Sequence, residues 1–201
     1  NYYILKMDIS KFFQNINKDI LYNILSKKVK DIKLLDLLKK IIYSNEGKTG
    51  LAIGNYTSQM FANIYLNEID QYVKNTLNAK YYFRYMDDSI LLIKTKEEAI
   101  EKLKRIKEFL EKKLELKLNN KTQIFKNKQG VNFCGYKINE YRLKIRDRGK
   151  RKLKEKVKKL TKEIKEGKIN SKDAKKYLCG HLGYLKIANT YNIENKLFEK
   201  E

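Results

Sequence analysis

The chain of 201 residues falls in the usual range for one domain and is long enough to bury a core. At 42% hydrophobic and 35% charged it reads as soluble and globular, which excludes an integral membrane protein: no apolar run nears the roughly 18 residues of a span, and no signal peptide opens the chain. The net charge of +22, from 46 basic and 24 acidic residues, favours a polyanionic partner, since each phosphate neutralised releases a counterion. A solvated lysine-rich surface would carry the same charge. Arginine is confined to Arg84, Arg105, Arg142, Arg146, Arg148 and Arg151, and Pro and Trp are missing, a bias that fits an AT-rich genome. Cys134 and Cys179 lie far apart without metal-ligand spacing, and read as reduced thiols of a cytoplasmic protein. The first residue is Asn1, so the N-terminus is expected to be cut from a longer protein.

In chain order, residues 2–7 form an apolar-rich strand that ends at Asp8. Apolar residues at spacings of three and four predict helices over 18–29 and 32–43. Gly47, Gly50 and Gly54 mark 45–56 as loop, and an amphipathic helix over 57–77 should bury Phe61, Ile64, Tyr65, Ile69 and Tyr72. Two β-prone runs, 81–85 and 89–94, flank Asp87 and Asp88 as in a hairpin. Thr95 and Glu98 form a capping box that opens a helix to about residue 113. Short strands are expected at 116–118, 122–125, 132–138 and 143–146. From Gly149 the chain turns lysine-rich and helical, with an apolar stripe of Leu153, Val157, Leu160 and Ile164. Gly167 is a stop, and Ser171 can cap a final helix. The pattern predicts an α+β fold, an antiparallel sheet with helices on one face over 1–146, followed by a small helical domain over 147–201. No internal repeat is evident.

Asp8 at a strand end and the Asp87–Asp88 pair at a hairpin tip are the chemical candidates. Taken alone, each fits an ordinary solvated turn. Together, two adjacent carboxylates facing a third could hold two hard divalent cations about 4 Å apart, the need of phosphoryl transfer from a nucleoside triphosphate to a 3′-hydroxyl. Without cations their mutual repulsion would be costly.

The surrounding residues carry a resemblance. Tyr85-Met86-Asp87-Asp88 resembles the YMDD box of reverse transcriptases, and Met7-Asp8-Ile9-Ser10-Lys11-Phe12-Phe13 resembles their motif A. The run from Gly50 through Ile53, Gly54 and Thr57 to Ser58 and Gln59 is similar to motif B, and Asn132-Phe133-Cys134-Gly135-Tyr136 to the primer-grip hairpin. These boxes stand in the family's order from Asp8 to Tyr136. The resemblance implies a palm and thumb, with the fingers mostly missing.

By that resemblance Asp8 and Asp87 are the main Mg²⁺ ligands, with Asp88 weaker and Mn²⁺ able to substitute. Ile9, Lys11 and Phe12 meet the incoming dNTP through backbone, and Phe13 stands beneath its sugar as a gate against a 2′-hydroxyl. Core packing is the alternative for Phe13. Ile53 and Gly54 approach the nucleotide and template, and Lys121 falls where the family places a lysine able to protonate pyrophosphate. Tyr85, Met86, Ser58, Gln59, Cys134, Gly135 and Tyr136 are the implied contacts to template RNA and to a DNA or RNA primer. Arg84 reads equally as a phosphate contact or an ion pair, and His181 as structural or primer-contacting.

Ile53 before Gly54, with Ser58-Gln59 after it, is similar to the enzymes of diversity-generating retroelements, which copy an RNA template with errors at adenines. Phage-defence, retron and group II intron enzymes remain alternatives, as does an inactive nucleic-acid-binding remnant; all three Asp being present argues against the remnant. An RNA-dependent RNA polymerase would usually carry Gly-Asp-Asp and lack the aromatic at Phe13. The resemblance leaves room for an accessory protein. Because everything the family places before motif A is absent, these residues alone are expected to be inactive or weak, with apolar helix surface exposed and the thumb truncated.

Overall fold

The computed structural model describes residues 2–191 and 195, excepting the side chains of His181 and Tyr184. It is α+β, and it divides into two compact units, Asn1–Lys126 and Asn127–Glu201.

In the first unit β1 (Tyr3–Asp8) lies inside a four-stranded antiparallel sheet with β2 (Tyr81–Tyr85), β3 (Asp88–Ile93) and β4 (Gln123–Lys126), in the order β2-β3-β1-β4. Side chains alternate across a strand, and Leu5, Met7, Leu91 and Ile93 all enter one core. Lys6, Asp8 and Asp88 therefore share the opposite face, joined there by Tyr85, which pairs with Asp88, and by Phe83, which pairs with Ile90.

Helices cover the core face. These are α1 (Phe12–Asn15), α2 (Lys18–Lys28), α3 (Ile32–Ile42), α4 (Tyr56–Gln71) and α5 (Lys96–Leu114). Phe61, Tyr65 and Ile69 of α4 are buried as expected, whereas Ile64 is only half-buried. The helix expected to run on to residue 77 instead widens into a π-helical turn, Tyr72–Thr76, where half-buried Tyr72 stacks on Phe109 with ring centroids 4.2 Å apart. At the start of α5 the Thr95 hydroxyl accepts from the Glu98 N–H, but the Glu98 carboxylate turns to Lys102 rather than closing the capping box. The strand expected at 116–118 is a single bridge, Ile9 to Leu118. The left-handed cap at Glu115 (φ 51) and the turn from Asn119 to Thr122 leave no length for more. On α3, Ile32, Leu34 and Leu37 stay exposed.

The second unit holds a three-stranded antiparallel sheet of β5 (Val131–Phe133), β6 (Tyr136–Ile138) and β7 (Leu143–Ile145), then α6 (Asp147–Lys165) and α7 (Ser171–Lys186). The run expected as a strand over 132–138, where the resemblance implied a hairpin, is two strands turned at Cys134-Gly135. This sheet packs with the helices: Ile145 buries with Leu153 and Leu185, and Tyr136 packs on them. Leu160 is buried too, while Ile164 at the far end of the stripe is exposed. The final helix is capped by Asn170, whose side chain accepts from the Asp173 N–H, with Ser171 its first residue.

Lys18 is fully buried in the first unit, where its ammonium donates to the carbonyls of Asn45 (2.7 Å) and Gly47 (2.9 Å). It is the internal tie of the loop that leads to Gly50 and Gly54. Lys18→Met would leave those carbonyls without their donor, and should lower unfolding stability by about 2 kcal/mol in a denaturant titration.

Candidate active site

The register of the central strands brings the aspartates together. Asp8 is the last residue of β1 and Asp88 the first of β3, and the two are directly opposed. Met86 and Asp87 make the two-residue turn from β2, Met86 at φ 54, the left-handed backbone such hairpin turns favour. Asp87 and Asp88 both act on Asp8: burial first, then these two charges, pushes the Asp8 carboxyl above its ordinary value, while Lys121 and Lys6 pull it back.

Lys121 lies near enough for its charge to lower the Asp8 carboxyl. Its placement has a backbone cause, because the Asn119 N–H donates to the Asp8 carbonyl at 2.7 Å while the Asn119 side chain accepts from the Lys121 N–H. Lys6 is a neighbour not foreseen from the sequence, its ammonium 3.1 Å from the Asp88 carboxylate. The signal was available, since a residue two before Asp8 on a strand lies on the same face.

Among the described residues, no three acidic, His or Cys side chains stand ready to close around one metal ion. The donor chemistry nevertheless fits Mg²⁺, a hard cation that takes carboxylate oxygens. Burial first, and the Asp87 and Asp88 charges after it, disfavour the Asp8 carboxylate, and the Lys6 ammonium takes up part of the Asp88 charge.

Beyond β1, Ile9 is buried and Lys11 sits at φ 44, opening the short helix α1. Phe12 is buried; Phe13 is half-buried, its ring edge-on to Phe12 at 5.4 Å. The glycine loop is stitched to this turn: the Gly50 N–H donates to Ile16 O and the Leu51 N–H to Phe13 O, each at 2.9 Å. A Cβ on Gly50 would come within 3.3 Å of the Gln14 carbonyl oxygen, so this position takes no larger residue without displacing backbone. Ile53 is 74% exposed, and a Cβ placed on Gly54 would meet no atom within 4 Å. Ser58 is buried in α4, and Gln59 is exposed.

Tyr85 is exposed and Met86 half-buried. Arg84 is settled as an ion pair, its guanidinium meeting both Asp70 carboxylate oxygens at 2.6 and 2.7 Å. In the second unit, Cys134 (φ 46) and Gly135 (φ 88) form a two-residue turn between β5 and β6, and Tyr136 is half-buried. The His181 side chain lies outside the described residues.

An acid whose folded-state pKa is raised weakens the fold above that pKa and has no effect below its unfolded value. Asp8→Asn should therefore raise the melting temperature of the metal-free protein at pH 7, with the gain vanishing as pH falls below the ordinary carboxylate range.

The chain is similar to known proteins. The model of the family described as "Reverse transcriptase (RNA-dependent DNA polymerase)" matches residues 1–138. A COX1/OXI3 intron 2 protein of Saccharomyces cerevisiae is 24% identical over 68% of this chain and 24% of its own length. Protein YkfC of Escherichia coli is 24% identical over 68% of the chain and 46% of its own length, so the chain spans less than half of either relative. Among solved structures, apo telomerase from Candida tropicalis superposes with a TM-score of 0.58 at 17% identity, covering 72% of this chain and 32% of that one. Telomerase from Candida albicans with a TWJ fragment of telomeric RNA gives 0.56 at 13%, over 73% and 31%. At such identity the superpositions speak for the fold. The family match spans more than half the sequence and takes in both aspartate-bearing elements and the β5–β6 hairpin, so the chain belongs to the reverse transcriptase family.

Proposed function

We propose that this chain carries the catalytic centre of an RNA-directed DNA polymerase, which adds deoxynucleotides to a 3′-hydroxyl on an RNA template. The observation that carries the reading is the β1–β3 register, which opposes Asp8 to Asp88 on the sheet face turned away from the helices, with Asp87 beside them in a two-residue turn. Asp8, Asp87 and Asp88 are the residues that would hold Mg²⁺. Bound there, the metal supplies activation of the attacking hydroxyl and charge neutralisation at the departing pyrophosphate.

The chain's own residues then divide the work. Lys121, whose charge reaches Asp8, is the group to deliver a proton to pyrophosphate. Phe13 restricts the space beneath the sugar and so selects dNTPs, while the turn at Lys11 and Phe12 offers backbone to the triphosphate. We read the first unit as palm, and the second as primer grip and thumb, with Cys134, Gly135 and Tyr136 at the primer. A cavity of about 270 Å³ in the second unit is lined by Lys137, Lys144, Arg146 and Lys150 with a single acid, Asp147, a charge balance suited to a nucleic-acid backbone. An accessory protein is a further partner in this reading.

The subtype we favour is the error-prone enzyme of a diversity-generating retroelement. Its support is Ile53: exposed ahead of Gly54, an aliphatic side chain offers the nascent pair shape without a hydrogen bond, which weakens rejection of mispairs. A second reading, an intron-associated enzyme, draws on the similarity to the COX1/OXI3 intron 2 protein.

Primer extension by the full reading frame on a defined RNA template, with Mg²⁺ and dNTPs, tests the proposal. Extension should fall roughly 100-fold or more in an Asp87→Asn, Asp88→Asn variant. Product errors concentrated opposite adenine support the retroelement subtype, whereas faithful products move it to another class. No RNA-templated DNA from the folded protein overturns the polymerase reading. In the same assay Phe13→Ala should admit ribonucleotides, and unchanged exclusion would return Phe13 to core packing.

A further inference from the structure

The catalytic turn is fastened from behind. Arg84 precedes Tyr85 on β2 and pairs with Ser89, so its side chain leaves the sheet on the helix-covered face, opposite the aspartates. There Nε donates to one Asp70 oxygen at 2.7 Å and Nη2 to the other at 2.6 Å, the two-pronged geometry in which an arginine–carboxylate pair is strongest. The Tyr82 hydroxyl adds a third donor to Asp70 at 2.8 Å. The remaining nitrogen, Nη1, reaches Asn63 at 3.2 Å and the main-chain carbonyl of Met86 at 3.0 Å. Asn63 and Asp70 stand two helical turns apart on α4, the helix that begins just after Gly54.

The Met86 carbonyl shares its peptide plane with the Asp87 N–H. Fixing that oxygen therefore fixes the direction in which the chain enters Asp87 and returns through Asp88 to β3. Met86 needs such a hold, because a left-handed conformation costs a non-glycine residue about 1–2 kcal/mol and persists only where neighbours impose it. Lysine could not replace Arg84 here. A single ammonium cannot grip Asp70 with two prongs and reach Asn63 and Met86 as well.

We propose that Arg84, locked by Asp70, is the positioning residue of the catalytic turn, setting the geometry of Asp87 and Asp88 through the Met86 carbonyl. It touches no substrate, and its action runs through the turn. The inference rests on the polymerase reading for its consequence in catalysis, but the clamp itself can be tested without turnover.

The full reading frame carrying Arg84→Lys, Asp70→Asn or Asn63→Ala would be compared with the unchanged protein. Four quantities are read: kcat and dNTP KM in primer extension, Mn²⁺ affinity by electron paramagnetic resonance, and hydrogen–deuterium exchange over residues 85–88. Arg84→Lys should lower kcat and Mn²⁺ affinity by roughly tenfold or more, as loss of a partner behind metal ligands does, with dNTP KM held within about twofold. Exchange over 85–88 should quicken in parallel. Asp70→Asn, which keeps one acceptor for the guanidinium, should give a smaller change of the same pattern, and Asn63→Ala the smallest. Should Arg84→Lys fail to fold, the Asp70→Asn and Asn63→Ala pair carries the decision. Folded variants with a lowered melting temperature but unchanged kcat, Mn²⁺ affinity and exchange would show a merely structural pair and overturn the proposal. If the unchanged protein makes no DNA, the polymerase reading fails by itself, and exchange over 85–88 still decides the clamp.

Discussion

Like charges placed directly opposite on paired strands destabilise a sheet, yet β1 and β3 meet with Asp8 against Asp88. What holds that register lies on the other side of the same strands. Leu5, Met7, Leu91 and Ile93 are buried against the helices, and a slip of one residue would turn all of them out of the core. The apolar face thus keeps the acids in apposition against their repulsion. The Asp8 carboxyl is raised by burial first and by the Asp87 and Asp88 charges after it, and Lys121 and Lys6 moderate the rise. In the family's chemistry a divalent cation would turn the repulsion into attraction.

The parts around this pair are joined by backbone more than by side chains. The segment after Asp8 accepts the glycine loop through Phe13 and Ile16 carbonyls, and Asp8's own carbonyl receives Asn119. Such bonds do not depend on side-chain identity, but they do demand close approach, which Gly50 permits. Lys18 adds an internal cation that gathers the preceding loop. On the helix side, α4 links the glycine loop at its start to the Arg84–Asp70 pair further along.

Charge is arranged differently in the second unit. Its buried core is small, and lysines oppose one another across β6 and β7, Lys137 against Lys144. Nearby Asp147 has its carboxyl held below its usual range by Lys150 first and also by Lys137 and Arg151.

Local patterns in the chain were enough to establish the fold class, the family and the three candidate aspartates. Strand alternation, helical spacing and the order of the boxes survive whatever packs around them. Asn170 taking the cap from Ser171, and the π-helical turn after α4, departed from expectation because cap and helix-end choices differ by little energy and neighbours such as Phe109 decide them. Long-range packing settled that Arg84 pairs with Asp70 rather than facing phosphate, that Lys6 stands by Asp88, and that β5–β7 belong with the C-terminal helices. Each depends on which residues distant in the chain share a face once the sheet's register and the helix packing are set. Spacing put Lys6 on the face of Asp8, but it could not say which distant strand would bring Asp88 to that face.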